Sequence, residues 1–405
     1  MTDYIDFDAL NQGDQPIDLL DAETIDHQSL TPAIRRLFRF IDELGEQGVS
    51  DVHVHPKKPV RRLFPTGLKM AVNSDEFHIF SQAEIREWLA YGSRGRDSTT
   101  RDKGHASVAI SNGNWRVRGT FRYGISGLSC TLRLIPSEIP DVDRMEVPEE
   151  IRSLAGYSSG LVLVEGPTGS GKTTLIASLI DLINRTTDQH IYCIEDPIEF
   201  VHFEEGHTAF TQREIGVHAR DFPTAVEDAL RSKPNVILIG ELLNPATAKA
   251  ALEAATTGHL VFTTAHAGSV TEAIQRFVGQ HPADEQSQIR SRLADSLLGV
   301  VVQKLIKDRS NRLTPVREVL ISNDRVKAVL DSASDARMIR QQIDSNEVVG
   351  WTLEDDLYKL VMNGRISPEE AMKHCKDIDG MKNLLQPILS QRQATEERKR
   401  GWGRR

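Results

Sequence analysis

Cysteine is scarce in this chain, with three in 405 residues (Cys130, Cys193 and Cys375) and no C-x-x-C pair among them. That argues against a disulfide framework and a cysteine-based zinc site, and it fits a reducing cytosol. Long apolar runs are also missing. No stretch approaches the ~20 apolar residues that cross a bilayer, and the opening MTDYIDFDAL is acidic where a secretory leader is basic and then apolar. Any membrane contact is therefore expected to be peripheral. The charge excess is small, 49 basic against 58 acidic side chains. This argues against a surface that clings throughout to nucleic acid or anionic lipid, and leaves room for a local basic patch. With this acidic balance, direct nucleic-acid binding is not expected. The chain shows no internal repeat and no low-complexity segment.

The chain is longer than one core usually fills, so two or three domains are expected. Residues 1–30 are acidic and aperiodic, the pattern of a mobile arm. The stretch LTPAIRRLFRFIDELGEQG predicts a helix capped by Thr31, with Pro32 at its first position and an end at Gly45 or Gly48. SDVHVHP alternates as a strand, DEFHIF allows another, and ASVAIS, WRVRGTFRY and LSCTLRLIP predict a strand meander, giving a small α/β domain over 31–137. Three prolines in PSEIPDVDRMEVPEE mark 138–148 as a linker. Strands then alternate with helices over 149–340, which implies a parallel sheet with phosphates bound at its carboxyl edge. A helical region over 341–390 includes RISPEEAMKH, which opens on Ser367, Pro368 and Glu370 as a capping box. The basic tail 391–405 carries Trp402 among arginines, a composition suited to a membrane surface.

The most specific pattern is LVLVEGPTGSGKTT at 161–174, an apolar strand running into a complete G-x-x-x-x-G-K-[ST] loop. Gly166, Gly169 and Gly171 let the backbone wrap phosphates with its N–H groups inward. Lys172 neutralises β- and γ-phosphate charge, and the Thr173 hydroxyl ligates Mg²⁺. Pro167, Thr168 and Ser170 complete the loop, and Thr174 either joins its contacts or packs the first helical turn. ATP and Mg²⁺ are the expected cofactors.

Other strands end on acids. Val236–Ile239 stops at Gly240 and Glu241, and an acid at a buried strand end needs water, a cation or hydrogen-bond donors. In a nucleotide-binding sheet that position faces the γ-phosphate, so Glu241 reads as the catalytic base, with a solvated helix cap as the alternative. Glu195 and Asp196 end the strand in CIEDPIEF, where Pro197 turns the chain. Two acids there either hold the waters of Mg²⁺, with Glu195 the favoured one, or are solvated in a plain turn. His266 follows VFTTA where a γ-phosphate sensor would sit, and a structural histidine is the other reading; His259 is the weaker candidate. The alternating His53 and His55 have no third ligand nearby and read as surface. Arg116, Arg118 and Arg133 share a face parity in the meander. They are either solvated strand charges or arginines reaching another subunit's nucleotide.

These stretches together resemble the secretion-superfamily traffic ATPases, the PilT-like pilus-retraction motors and type II secretion ATPases, over about residues 31–375. GPTGSGKTT is similar to that family's Walker A loop, IEDPIEF to its Asp box, VILIGE to its Walker B strand and TGHLVFTTAH to its His box. REIGVHARDF is similar to a further motif of the retraction motors, and RLADSLLGVVVQKL and NGRISPEEAM to downstream helices of the family. The resemblance implies an amino-terminal PAS-like α/β domain joined to a RecA-like P-loop domain with a parallel sheet and a helical carboxy-terminal extension. It also implies a cytoplasmic homohexamer, peripheral to the inner membrane, whose sites are completed by Arg116, Arg118 and Arg133. The partners it implies are inner-membrane proteins of a secretion, conjugation or pilus apparatus.

This sequence departs from the retraction pattern in three places. Arg-x-Asp-Pro is Arg231-Ser232-Lys233-Pro234, Gly-Glu-Met-Arg-Asp ends in Leu242-Leu243-Asn244, and Thr-Leu-His-Thr is Thr264-Ala265-His266-Ala267. The Lys-Pro form is similar to the DotB-like and TraJ-like ATPases. The resulting expectation is a motor of type IVB secretion or conjugal transfer, with pilus retraction as the alternative and a nucleic-acid motor behind both.

Overall fold

The computed structural model describes residues 30–64, 67–70, 78–93, 105–204, 206–332, 338, 343 and 349–387. The expected acidic arm, apart from residue 30, and the basic tail with Trp402 lie outside these residues. The chain divides into two units, one of residues 1–146 with 177–240 and the other of 147–176 with 241–405.

The amino-terminal part of the first unit is a six-stranded sheet covered on one face by two helices. Helix α1 (Pro32–Glu46) starts where Thr31 Oγ1 accepts from the Ile34 N–H at 3.3 Å, and the chain leaves it through Gly48 at φ +70°. Strands β1 (Asp51–Val54), β2 (Arg61–Phe64) and β3 (Gly67–Met70) precede helix α2 (Gln82–Gly92), whose Ser81 and Glu84 form a capping box. The meander β4 (His105–Ser111), β5 (Trp115–Gly124) and β6 (Gly127–Pro136) follows, and the sheet order is β3-β2-β1-β6-β5-β4, antiparallel throughout. Of DEFHIF only His78–Phe80 is described, and Ile79 makes one isolated bridge to Pro59. Val117, Phe121, Leu132 and Leu134 pack with Leu37, Ile41 and Trp88 in one core. Side chains alternate across a strand, so Arg116, Arg118 and Arg133 fall on the other face, and Arg118 stands directly across from Arg133.

From residue 149 onward strands and helices are interspersed. In chain order they are α3 (Glu149–Arg152), β7 (Gly160–Glu165), α4 (Lys172–Thr186), β8 (His190–Glu195), β9 (Ala209–Glu214), α5 (Phe222–Arg231), β10 (Val236–Ile239), α6 (Pro245–Thr256), β11 (Leu260–Ala265), α7 (Val270–Gly279) and α8 (Gln286–Ser296). Then come β12 (Leu297–Lys307), β13 (Leu313–Ile321), α9 (Asp324–Asp331), β14 (Gly350–Trp351), α10 (Leu353–Met362) and α11 (Pro368–His374). In the first unit β9, β8 and β10 pair in parallel. In the second unit β11 and β12 flank β7 in parallel, while β13 and β14 extend the edge antiparallel.

Several local expectations change. RLADSLLGVVVQKL is helical only to Ser296. From Leu297 it is a strand, because the β-branched Val300, Val301 and Val302 are buried beside β7. Strand β9 is not foreshadowed in the sequence, because AFTQRE carries no apolar run. Within residues 138–148, read in the sequence as a linker, Val142 is buried, and the Pro140 carbonyl accepts from Ser178 Oγ at 2.5 Å. At the start of α11 the Ser367 hydroxyl accepts from the Glu370 N–H at 3.1 Å. The Glu370 carboxylate pairs with Lys373 and His374 instead of completing a capping box.

Candidate active site

Register places the central groups of the second unit. Ala265 of β11 pairs with Glu165 of β7, so the residues that follow, His266 and Gly166, come side by side. On the other flank Val302 of β12 pairs with Glu165, which brings Gln303 up to the same loop. The Leu242 N–H donates to the Thr264 carbonyl at 2.8 Å and ties the segment holding Glu241 to β11.

The loop between β7 and α4 turns through Gly166, Gly169 and Gly171 at φ +140°, +77° and +82°, a region open to glycine but costly for other residues. Lys172 Nζ donates to the Gly166 and Pro167 carbonyls at 2.8 and 3.2 Å and lies 3.5 Å from His266 Nδ1. Pro167, Thr168 and Ser170 form the body of the loop, and Thr173 and Thr174 stand in the first turn of α4, both half-buried. His266 Nε2 is 2.8 Å from Glu241 Oε1, and its Nδ1 is 3.1 Å from the Gly166 carbonyl oxygen. The loop, Glu241 and His266 are thus gathered in one place. His259 instead contacts the Ala254 carbonyl at 3.0 Å, as the structural reading has it.

The second unit also holds residues that sequence reasoning misses. Glu165 is buried and accepts from the Ala267 N–H; burial pushes its carboxyl up to about 7, against the pull of that hydrogen bond and of Lys172. Glu272 Oε2 accepts from the Gly268 N–H at 2.7 Å, and the Arg276 guanidinium donates to the His266 carbonyl. Three side chains therefore hold the backbone that carries His266. Glu165 Oε2, Ser170 Oγ and Thr263 Oγ1 are buried without a hydrogen-bond partner among the described residues. Each such group costs about 1–3 kcal/mol, a cost that polar ligands can offset. Glu165 has a legible signal, since it ends an apolar strand on an acid just as Glu195 does.

Glu195 lies in the first unit. It is buried, and desolvation followed by the charges of Glu199 and Glu214 pushes its carboxyl up to about 8, while Arg116 opposes the rise. Glu195 Oε2 accepts from the Glu199 N–H at 3.4 Å. Arg116 is buried 4.0 Å from Glu214 of its own chain, whereas the half-exposed Arg133 pairs with the buried Asp51 at 2.9 Å and Arg118 is half-buried across from Arg133. Asn244 caps α6 by accepting from the Thr247 N–H at 2.9 Å, and Lys233 sits at φ +48° beyond the end of α5. Asn244, one of the departures from the retraction pattern, thus has a local capping role.

Of the expected Mg²⁺ ligands, Thr173 offers a hard oxygen that suits the ion. Glu195 suits it only after losing its proton. Among the described residues no group of three or more His, Cys, Asp or Glu could hold a metal, and Mg²⁺ bound largely through phosphates and water needs no such group.

A family model described as "Type II/IV secretion system protein" matches residues 102–373. The chain belongs to that family. It is an ATPase, with a nucleotide as its substrate. The "Type IV pilus retractation ATPase PilT" of Pseudomonas aeruginosa is 36% identical over 269 residues, covering 65% of this chain and 78% of that protein. The crystal structure of the pilus retraction motor PilT with bound ADP superposes with a TM-score of 0.73 at 32% identity, covering 86% of this chain and 99% of the other. The Legionella pneumophila ATPase DotB gives a TM-score of 0.70 at 26% identity, covering 84% of this chain and 95% of the other. The secretion-ATPase fold expected from the motifs, an amino-terminal α/β domain with a RecA-like domain, is therefore present. Among the described residues no helix is long and apolar enough to cross a membrane.

Proposed function

We propose that this ATPase is a ring motor, a homohexamer docked on inner-membrane proteins of an envelope-spanning machine, and that hydrolysis drives movement of its domains. The observation that carries the chemistry is the contact of His266 with both Glu241 and Gly166. Loop N–H groups and Lys172 bind the phosphates, and Mg²⁺, held by Thr173, supplies charge neutralisation when bound. Glu241 takes a proton from the water that attacks the γ-phosphate, and His266 fixes the carboxylate against the loop. Arg118 and Arg133, on the face of the six-stranded sheet away from its two helices, are the arginines we assign to a neighbouring subunit's nucleotide.

Pilus retraction is the machine we favour, supported by the higher identity to PilT than to DotB. A type IVB secretion or conjugation motor is the second reading, supported by Ser232-Lys233-Pro234 and Leu242-Leu243-Asn244. ATP turnover per subunit, measured against protein concentration, tests the ring. Turnover should rise with assembly and collapse in Glu241→Gln and Arg118→Ala. Concentration-independent turnover that ignores Arg118 would sink the shared-site mechanism, and stimulation by nucleic acid that fades with salt would favour a nucleic-acid motor.

A further inference from the structure

Gln303 sits on β12 between Val300–Val302 and Lys304 and is buried. Its Nε2 donates to the Ser170 carbonyl at 2.8 Å, and its Oε1 accepts from Arg317 Nε at 2.8 Å. Arg317 is its cross-strand partner on β13 and is buried too. Because Arg317 can only donate and the Ser170 carbonyl can only accept, one amide orientation satisfies both. The backbone of Gln303 also backs the loop. A Cβ at Gly166 would overlap the Gln303 carbonyl oxygen, and one at Gly171 would come within 3.0 Å of Gln303 Nε2. Arg317 is fixed in turn, since its N–H donates to Asp356 Oδ2 on α10 at 2.8 Å.

We infer that Gln303 is a positioning residue for ATP hydrolysis: oriented by Arg317, it sets the curvature of the 166–171 loop and so the aim of the loop's N–H groups at the nucleotide phosphates. The inference rests on the reading that this loop holds those phosphates. A loop held from behind by a buried amide keeps its donors converged, whereas a freed loop must be ordered by the nucleotide itself at a cost in affinity.

The test uses the full chain and compares ATP affinity, KM and kcat, each per folded active site, with thermal midpoints, for wild type, Gln303→Glu, Gln303→Leu and Lys172→Ala. Gln303→Glu keeps the shape and strengthens the Arg317 contact, but turns an oxygen toward the Ser170 carbonyl. It should hold the thermal midpoint while ATP affinity and kcat/KM fall about tenfold, the scale of one hydrogen bond. Gln303→Leu should show the same loss per folded site. Wild-type affinity and kcat/KM per folded site in Gln303→Glu would overturn the inference, even if the fold were weakened. Unchanged ATP affinity in Lys172→Ala would instead overturn the phosphate-loop reading itself.

Discussion

His266 Nε2 lies 2.8 Å from Glu241 Oε1 while the other ring nitrogen faces the Gly166 carbonyl. One imidazole thereby joins the end of β11, the acid beyond β10 and the first residue of the phosphate loop. Its contribution is orientation: a carboxylate that is 35% exposed would otherwise sample several rotamers.

The expected outcome of His266→Ala is a fall in kcat of roughly ten- to a hundredfold, because a hydrogen bond to a charged group contributes about 1.5–3 kcal/mol. Glu241→Gln should cost more, since it removes the base itself. Single-turnover hydrolysis, with ATP binding measured separately, checks this. An alanine variant with a full hydrolysis rate would make His266 a structural residue.

How much of this is legible in the sequence depends on whether the information is local. The phosphate loop is legible, because glycine spacing, lysine and a preceding apolar strand lie close together in the chain. Glu241 and His266 can each be nominated from a strand end, but their contact depends on the segment holding Glu241 being tied to β11 through the Leu242 N–H and the Thr264 carbonyl. Gln303 gives no comparable sign: with Lys304 it looks like a polar pair at the end of a valine run, and the resemblance assigns its segment to a helix. The valine run that decides for strand acts through burial beside β7. Arg116 shows the opposite limit. Parity puts it correctly on one face with Arg118 and Arg133, but parity cannot reveal that Glu214 of the same chain lies beside it.

Glu165 makes stability depend on pH. Its folded carboxyl titrates at about 7 against an ordinary value of 4.5. The folded state therefore binds more protons than the unfolded state between those values, and stability falls as pH rises through that window, by about 3 kcal/mol for this group. Below about 4.5 and above about 7 Glu165 contributes no slope. Glu165→Gln should remove that part of the decline and should be the more stable protein at about pH 8. Urea midpoints at intervals from about pH 5 to 8 provide the measurement; parallel profiles for the two proteins would mean that Glu165 titrates normally.

The three arginines of the meander should separate by experiment. Arg116 is buried beside the buried carboxyl groups of Glu214 and Glu195, and removing one partner from such a cluster costs about 3–5 kcal/mol. Arg133 is half-exposed, but its partner Asp51 is buried, so removing Arg133 leaves a buried carboxylate short of a partner at a cost of about 1–3 kcal/mol. Arg118, half-buried on the face away from the two helices, should change stability by about 0.5 kcal/mol or less when replaced. Arg116→Met is therefore expected to lower the urea midpoint most and Arg133→Ala to lower it less, whereas Arg118→Ala should leave it nearly unchanged and act on the turnover of assembled protein. If Arg116→Met unfolds like wild type and loses only assembled turnover, the cluster with Glu214 is incidental and Arg116 belongs with the other two.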